Sequence, residues 1–339
     1  MRAVEIAAYG GPEQLRLAER PMPACGPGEV LLKVAAAGVN RPDATQRRGL
    51  YPPPPGITDI PGLDVAGQVV EVGADVVGIQ RGQFLCALVA GGGYAEYVNV
   101  PWQQCLPIPG HLDLVQAASL PEVFFTAWNK LFLVGRLAHG ETVLIQGGTS
   151  GVGMAAIQLA REVAGARVIA LAGTDEKCAQ CEALGVDLAI NYRTRDWAAE
   201  AKAFTGGVGV DVILDAQAGD YIERELDLLA TGGRLVLLAT HGDTHATVNF
   251  RQVVRRRLTI AGSVIRARSA AEKGEIAREL LAHAWPLIAA GRIRTEIQRT
   301  LPLAEAAAAH EILERNEQQG KLVLVVDPAL VELHRRTLP

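Results

Sequence analysis

One glycine-rich segment has the residue types and the spacing that bind a nucleotide pyrophosphate. It runs from Gly147 to Gly153 and follows an apolar run, Val143–Gln146, that predicts a strand. A helix is predicted over Met154–Ala164, directly after the glycines. Glycines let the backbone turn tightly beside a phosphate, and a helix N-terminus offers free N–H groups and a partial positive charge. A structural glycine turn is the alternative, but this strand and helix context favours a dinucleotide-binding loop.

The end of the next predicted strand indicates which nucleotide binds. An NAD-specific unit carries Asp or Glu about 20 residues after the glycines, where it binds the ribose 2′-hydroxyl. This chain has Gly173 there, followed by Thr174. Lys177 and Arg193 could neutralise a 2′-phosphate or could be ordinary surface residues, and Asp175 is an acidic counter-signal. The missing acid favours NADP over NAD.

The cysteines and histidines do not have the spacing of a metal site. Cys178 and Cys181 form a C-x-x-C pair, but a structural zinc site needs four ligands and no second pair is present. Both lie in a helical pattern that ends at Gly185, so we interpret them as surface or half-buried thiols. His241 and His245 lie in a predicted loop without a third ligand. We therefore predict no bound metal.

Length and composition set the size and class of the protein. The 339 residues are 49% apolar and 21% charged, enough for two domains with hydrophobic cores. The net charge is −4 and the basic run Arg255–Arg257 is typical of a solvated helix end, so a nucleic-acid partner is not expected. Neither a secretory signal nor the roughly 18-residue apolar window of a membrane span is found. We predict a cytoplasmic protein without membrane attachment.

Two patterns of predicted elements follow one another along the chain. Over the first 120 residues, short β-branched runs alternate with Gly and Pro turns, which predicts a β-rich domain. Strands and helices then alternate up to a last strand at Leu258–Val264, with a turn at Gly232–Gly233, which predicts a parallel sheet wound by helices. One long helix is predicted over Ala270–Ala290. A final apolar strand, Lys321–Val326, is expected to return to the first domain.

Five motifs in this order resemble the medium-chain dehydrogenase/reductase superfamily, and within it the zinc-free quinone-oxidoreductase branch. They are Gly10–Glu13, Gly28–Leu31, Gly38–Asp43, Pro61–Gly67 and Gly148–Gly153 with Gln158. The resemblance covers nearly the whole chain. It implies an α/β fold: a Rossmann doubly wound parallel sheet over residues 122–266, and a β-rich GroES-like substrate domain over residues 1–121 and 267–339. Cofactor and substrate would meet in the cleft between the two domains.

Zinc-dependent members of this superfamily carry a catalytic Cys and a His-Glu pair where this chain has other residues. The Cys position holds Asn40, and Gly62 is followed by Leu63 and Asp64. The four-cysteine structural zinc lobe is also missing after Cys86. A catalytic zinc needs three protein ligands. A zinc-free site suits an acceptor that is easily reduced, such as a quinone or an activated alkene, because ketone reduction needs stronger polarisation.

The resemblance further implies which residues bind the cofactor, NADPH. Ser150 stands where the usual quinone-reductase signature has Gly. Thr126 is expected at the start of a helix, near the carboxamide. The implied contacts are Gly148, Ser150, Gly151 and Val152 at the pyrophosphate, Gly173, Lys177 and Tyr192 at the 2′-phosphate, and Thr126 and Asn316 at the nicotinamide end.

Three residues of the first domain are candidates for catalysis. Tyr51, in a proline-stiffened loop that borders the nicotinamide in the family, would donate a hydrogen bond to the substrate or simply pack against the prolines. Asn40 would hold ring or substrate oxygens, or serve as a turn residue. Asp43 would act in the site, or cap a helix beginning near Ala44. None is assigned as a proton donor, since solvent can protonate a quinol.

These observations predict an NADPH-dependent quinone reductase. A reductase of α,β-unsaturated carbonyls shares the same cofactor and fold, and a non-catalytic NADPH-binding protein is the alternative from another class. The resemblance also implies a homodimer formed through the edge strand Leu258–Val264, where Thr259–Ala261 would pair with a second copy. A short exposed edge is the alternative.

Overall fold

The two ends of the chain fold together, and its middle part folds separately. The computed structural model describes residues 1–316 and 319–338. Among these, no helix is both long and apolar enough to cross a membrane. One unit holds Met1–Phe125 and the residues from Ile265 onward, and the other holds Thr126–Val264. The sequence predicts that the first segment of the first of these units ends at residue 121, and the structure places that end at Phe125. The sequence predicts that the second segment starts at residue 267, and the structure places that start at Ile265.

The first unit begins with short strands separated by turns, as its Gly and Pro residues predict. Its long third strand pairs with two others in this segment and is buried along most of its length. The elements are β1 (Arg2–Ile6), β2 (Leu15–Glu19), β3 (Glu29–Val39), α1 (Arg41–Arg47), β4 (Asp64–Val72), β5 (Phe84–Leu88), β6 (Tyr97–Pro101), β7 (Cys105–Pro107), α2 (Leu114–Ala117) and α3 (Pro121–Trp128).

Strands and helices alternate through the second unit. After a π-helical turn at Asn129–Val134 come β8 (Thr142–Gln146), α4 (Gly151–Glu162), β9 (Arg167–Ala172), α5 (Asp175–Ala183), β10 (Leu188–Asn191), α6 (Trp197–Phe204), β11 (Val210–Asp215), α7 (Tyr221–Leu228), β12 (Leu229–Leu237), α8 (Phe250–Arg256) and β13 (Thr259–Gly262). All pairs in this six-stranded sheet are parallel, in the order β10-β9-β8-β11-β12-β13. Every residue of β8 is buried, as in a strand covered on both faces. The predicted Rossmann sheet is confirmed.

The chain then returns to the first unit and completes its sheet. The returning elements are α9 (Ala270–His283), α10 (Trp285–Ala289), β14 (Ile297–Pro302), α11 (Ala306–Glu314), β15 (Lys321–Val325) and α12 (Pro328–Arg335). β15 runs antiparallel to β3, with Leu324 opposite Ala37, as the sequence predicts for the last apolar strand. The strands follow the order β14-β15-β3-β4-β5-β7, and β6 also pairs with β3. The β-rich GroES-like fold is confirmed.

Two element predictions are wrong. Gly232 and Gly233 do not form a turn but lie inside β12, because an irregularity in its pairing with β11 absorbs them, and Gly232 has a φ of +83° that glycine adopts without strain. The helix predicted over Ala270–Ala290 is two helices that meet at Ala284. Pro286 explains the break, since it has no N–H to continue the hydrogen bonding of α9.

Candidate active site

The glycine loop joins β8 to α4 through a tight turn. Gly147 has a φ of +64°, and the N–H of Gly148 donates to the carbonyl oxygen of Leu171 on β9 at 3.0 Å. Ser150 is the N-cap of α4, and its hydroxyl accepts from the N–H of Gly153 at 3.0 Å. Other free N–H groups of the first helical turn remain available to an anion.

Close packing around this loop excludes side chains at two of its glycines. A Cβ on Gly153 would lie 2.2 Å from the carbonyl oxygen of Gly147, and one on Gly148 would lie 2.6 Å from Sγ of Cys181. Cys178 and Cys181 on α5 are both buried, so the prediction of surface or half-buried thiols is wrong. Burial raises the pKa of Cys181 to about 12, which keeps it a thiol that fills space behind the loop.

The residues predicted at the 2′-phosphate partly meet at the end of β9. A Cβ on Gly173 would lie 2.9 Å from the Tyr192 hydroxyl and 3.4 Å from Nε of Arg193, so these side chains lie beside that glycine. Lys177 lies in the first turn of α5, where its N–H donates to the hydroxyl of the N-cap, Thr174, at 3.3 Å. Because position 173 is Gly, it has no carboxylate that could bind a ribose 2′-hydroxyl.

Asp175, the acidic residue that argues against NADP, already has a hydrogen-bond partner in the protein. The carboxylate of Asp175 accepts a hydrogen bond from Nδ2 of Asn191 at 2.7 Å. Asp175 also lies in the first turn of α5, where a negative charge is stabilised by the helix dipole. The hydrogen bond from Asn191 and the helix dipole together explain an acid at position 175 without a role in binding the ribose hydroxyl.

The structure gives the local positions of two further residues predicted to contact the cofactor. Thr126 is inside α3, which begins at Pro121, so its predicted place at a helix start is wrong. Proline is favoured in the first turn of a helix, which explains the earlier start. Asn316 follows α11 with a φ of +54°, and its Oδ1 accepts from Nη2 of Arg41 at 2.6 Å. Asn tolerates this left-handed conformation better than most residues.

In the first unit, the candidate residue Asn40 belongs to a buried polar group. Its Oδ1 accepts from Nζ of Lys321 at 2.6 Å, and its Nδ2 donates to Oδ1 of Asp64 at 2.7 Å. Lys321 also lies 3.3 Å from Oδ2 of Asp64. All three side chains are at least 95% buried. A buried ion pair needs such additional hydrogen bonds to offset its loss of hydration, and Asn40 provides them.

Asp43 is the acceptor at one end of a row of buried, hydrogen-bonded side chains. Its Oδ2 accepts from the N–H of Asn40 at 2.9 Å and from the Tyr94 hydroxyl at 3.0 Å. Tyr94 lies 3.2 Å from Nε2 of His310, whose Nδ1 lies 3.3 Å from Nη1 of Arg47. Arginine only donates, so His310 accepts at Nδ1 and donates from Nε2, and Tyr94 donates onward to Asp43. The helix that the sequence predicts to begin near Ala44 begins at Arg41, so Asp43 lies in its first turn.

Burial governs the protonation of this row of side chains. It raises the pKa of Asp43 to about 7, against the opposing hydrogen bonds from Asn40 and Tyr94. Burial, assisted by the charge of Arg47, lowers the pKa of His310 to about 3. His310 is therefore neutral at physiological pH, as the direction of the hydrogen bonds requires.

Tyr51 is held by an arginine from the returning segment. Arg266 donates to the carbonyl oxygens of Ala90 at 2.7 Å and Tyr51 at 3.1 Å, and to Oε1 of Gln46 at 2.7 Å. Its guanidinium also lies 5.1 Å from the centre of the Tyr51 ring. Burial raises the pKa of the Tyr51 hydroxyl, whereas the charge of Arg266 opposes that shift. Over the described ranges, no hydrogen bond joins this hydroxyl to another residue, so it is available to a ligand.

Comparisons with known proteins identify the family of this chain. Two family models match it, an alcohol dehydrogenase GroES-like domain over residues 26–110 and a zinc-binding dehydrogenase domain over residues 151–282. The quinone oxidoreductase of Rattus norvegicus is 33% identical over 96% of this chain and 98% of the rat protein. The chain belongs to the medium-chain dehydrogenase/reductase superfamily of oxidoreductases.

Solved structures of other superfamily members have the same fold. The quinone oxidoreductase of Escherichia coli, in complex with NADPH, is 30% identical with a TM-score of 0.84, over 96% of this chain and 100% of the bacterial chain. The JamJ enoyl reductase is 25% identical, also with a TM-score of 0.84, over 96% of this chain and 98% of that protein.

The residues at the superfamily's zinc positions do not fit a zinc ion. Asn40 and Asp64 stand at two of these positions, and the ammonium of Lys321 is bonded to both. A positive charge in that place repels a divalent cation, and Leu63 at the third position is no ligand. Within residues 1–316 and 319–338, no three His, Cys, Asp or Glu side chains are grouped to hold a metal ion.

Sequence reasoning missed the partners that hold the candidate residues. Lys321, Tyr94, His310 and Arg266 come from segments far from Asn40, Asp43 and Tyr51 in sequence, so spacing gives no sign of them. The charged type of Lys321 inside the predicted strand Lys321–Val326 is an available signal, because buried polar groups require partners. Tyr94 and Arg266 lie outside the strands and helices predicted above and give no such signal.

We expect Gly153→Ala to weaken NADPH binding at least tenfold, because its Cβ would meet backbone that no side-chain rotation can clear. The measurement is a tryptophan-fluorescence titration with NADPH. Gly110→Ala is the matched control, since a Cβ there meets nothing within 4 Å, and it should bind as wild type does. Equal affinity in both variants would contradict a phosphate-binding role for this loop.

Proposed function

We propose that this protein is a zinc-independent oxidoreductase that transfers hydride from NADPH to a quinone. The observation that carries the proposal is the Ser150-capped glycine loop, together with a next strand, β9, that is followed directly by Gly173 rather than by an acid. Tyr192 and Arg193 lie at that glycine, where a 2′-phosphate would need a hydrogen-bond donor and a positive charge. The similarity to quinone oxidoreductases supports a quinone as the acceptor.

The proposed cofactor contacts divide by the part of NADPH that each would hold. Backbone N–H groups of the loop would bind the pyrophosphate, as free groups at a helix N-terminus do. The set is Gly148, Ser150, Gly151 and Val152 at the pyrophosphate, Gly173, Lys177, Tyr192 and Arg193 at the 2′-phosphate, and Thr126 and Asn316 at the nicotinamide end.

The acceptor would be oriented by residues of the first unit. NADPH supplies the hydride when it is bound, and the protein must place the acceptor and stabilise charge that develops on its oxygen. The Tyr51 hydroxyl is the proposed hydrogen-bond donor, and Arg266 holds its backbone and ring in place. Asn40 and Asp43 are proposed to shape the site, since their side chains bond Asp64, Lys321 and Tyr94.

The same geometry supports the proposed zinc independence. The ammonium of Lys321, bonded to Asn40 and Asp64, replaces the cation that zinc-dependent members bind in this place. A quinone accepts hydride without the polarisation that a ketone needs from a metal. The chain therefore needs hydrogen-bond donors rather than a Lewis acid.

Reduction of an α,β-unsaturated carbonyl is the second candidate. The similarity to the JamJ enoyl reductase favours it, and the same donor at Tyr51 would serve an enone oxygen. A non-catalytic NADPH-binding protein is the third. Turnover with a quinone, with an enone or with neither distinguishes these three functions directly.

We expect the protein to bind NADPH more tightly than NADH, and Arg193→Gln to lose about tenfold in NADPH affinity (~1.4 kcal/mol) with NADH binding unchanged. Titrations follow the fluorescence of its four tryptophans in buffer with a metal chelator. Adding 1,4-naphthoquinone should then oxidise NADPH despite the chelator. Loss of turnover on chelation would overturn zinc independence, and failure to bind either nucleotide would overturn the whole proposal.

We expect Tyr51→Phe to lower kcat/KM for the quinone about tenfold, because it removes one donor to the developing oxyanion and keeps the ring against Arg266. NADPH affinity should stay within about twofold of wild type. Tyr97→Phe on β6 is the matched control, with no expected change. An unchanged kcat/KM in Tyr51→Phe would assign Tyr51 to packing alone.

We further propose that two copies associate through β13. Within the described residues, β13 pairs with β12 alone, so its other edge has unpaired backbone groups. Ile260 on β13, Val264 just after it, and Phe250 and Val254 on the preceding helix are large apolar side chains exposed to solvent. Exposed apolar residues beside a free strand edge are typical of an association surface.

We expect the wild-type protein to sediment at about twice its chain mass of 36.0 kDa, and Ile260→Lys to sediment as a monomer at micromolar concentration. Two lysines facing each other across a paired edge repel and lose hydration. Val208→Lys, at an exposed residue elsewhere in the second unit, should leave the mass unchanged. A monomeric wild type would contradict the dimer.

A further inference from the structure

A buried glutamate lies directly behind the residue that precedes the glycine loop. Glu225 on α7 is fully buried, and its Oε1 accepts from Nε2 of Gln146 at 2.5 Å. Gln146 is the last residue of β8, next to Gly147, and its Oε1 accepts from the N–H of Ala216 at 3.0 Å. One side-chain amide thus links the end of β8, the segment after β11, and α7. Its orientation is set by the acceptor that Glu225 provides.

Glu225 shares this region with a second buried carboxyl, Asp215 at the end of β11. Asp215 accepts three hydrogen bonds from the N–H groups of Gln217 and Ala218, at 2.6 to 3.1 Å. Glu225 accepts one, and its Oε2 has no partner among the described residues. Tyr221 on the same helix interacts electrostatically with both carboxyls, and also with Arg224 and Tyr192. Buried Lys130 donates to the carbonyl oxygen of Leu237, which is paired with Asp215 in the sheet.

Two buried carboxylates without a cation cannot both be ionised at low cost. The two N–H donors, which make three hydrogen bonds to its oxygens, stabilise the negative charge on Asp215, so the proton belongs on Glu225. Burial and the charge of Asp215 raise the pKa of Glu225 to about 9, with the Gln146 hydrogen bond opposing the shift. Burial also raises the pKa of Asp215, against its backbone hydrogen bonds.

We propose that Glu225 is a positioning residue that acts as a neutral carboxylic acid, and that nucleotide binding at the glycine loop requires it to be protonated. The inference rests on the proposed function, because it assumes that the loop binds a pyrophosphate. An ionised Glu225 would place a negative charge behind the residue that leads into the loop, where it opposes an anionic ligand. A neutral acid keeps the hydrogen bond to Gln146 without that charge.

The direction of the pH effect follows from the two states of the carboxyl. The folded state holds the proton up to about pH 9, whereas an unfolded chain releases it near pH 4.3. The contribution of this group to stability is therefore complete below about pH 4 and falls as the pH rises toward 9. NADPH affinity should be constant at neutral pH and fall above pH 9, with uptake of a proton on binding in that range.

The test compares Glu225→Gln with wild type and with Glu223→Gln, an exposed glutamate on the same helix. Glutamine has the shape of a protonated glutamate and still accepts from Gln146. NADPH dissociation constants are measured by fluorescence between pH 6.5 and 10. Wild type and Glu223→Gln should weaken about tenfold from pH 8 to pH 10. Glu225→Gln should match wild type at pH 7 and lack this tenfold decline, so that any smaller decline it keeps belongs to groups that all three proteins share.

A spectroscopic readout tests the proton without nucleotide. Infrared difference spectra between pH 7 and pH 10 contain a contribution from Asp43, whose pKa is about 7, in all three proteins. Wild type and Glu223→Gln should lose a further protonated carboxyl band that is missing from the Glu225→Gln difference spectrum. Denaturant unfolding should also show Glu225→Gln to be the more stable protein at pH 9, which excludes a folding defect.

The outcomes separate this proposal from the proposed function. If NADPH binds and all three proteins share one pH profile, the role of Glu225 is overturned while the reductase proposal stands. If Glu225→Gln fails to bind at pH 7 but is folded, the carboxyl acts as an anion and the proposal is overturned. If wild type binds no nucleotide at any pH, the reductase proposal fails, and so does the link between nucleotide binding and the protonation of Glu225. The infrared bands still decide whether Glu225 is protonated in the folded protein.

Discussion

The contact between Gly147 and Gly153 is the constraint on which the nucleotide end of the second unit depends. The carbonyl oxygen of Gly147 lies 2.2 Å from the position that a Cβ of Gly153 would occupy. This close approach lets the chain turn from β8 into α4 within a few residues. This turn aims the N-terminus of α4 at the carboxyl edge of the sheet, where open parallel sheets bind ligands. Buried thiol and alanine carbon fill the space behind Gly148, so the loop has little freedom to relax.

Both units bury charged groups, and the cost of burying them is offset in two ways. In the first unit, the charges are paired: Lys321 meets Asp64, and Arg47 and Asp43 end a chain through neutral His310 and Tyr94. In the second unit, no ion pair joins Asp215 or Glu225 to a cation among the residues that the structure describes, and protonation of one of them removes the conflict. Burying an ion without a partner is costly enough that one of these two solutions is required.

These buried groups connect fold to function. Asn40, Asp43 and Tyr51 belong to one stretch of chain, yet each is oriented by a residue from another strand, loop or helix. Such supporting hydrogen bonds hold the proposed site residues in a single geometry, which the proposed hydride transfer to an acceptor would require. The side chains that surround the site are therefore as specific a feature of this protein as the site residues themselves.

The sequence by itself determined the class of the fold and the position of the glycine loop between β8 and α4. Both follow from local rules: strands and helices alternate where apolar periodicity alternates, and glycines between them allow the turn. Pro286 also carried the signal for the break after α9, although the longer helical pattern obscured it. Gly232–Gly233 show the limit of such rules, since the pairing of β12 with β11 overrode a local turn signal.

Only the tertiary structure decided the partners of the buried polar residues. The sequence shows an Asn at position 40 and an acid at position 225, but whether each meets a lysine, an amide or another acid depends on which distant segments pack together. Exposure is decided in the same way, as the burial of Cys178 and Cys181 shows. Charge state follows from burial and from neighbours in space, and neither is a property of spacing along the chain.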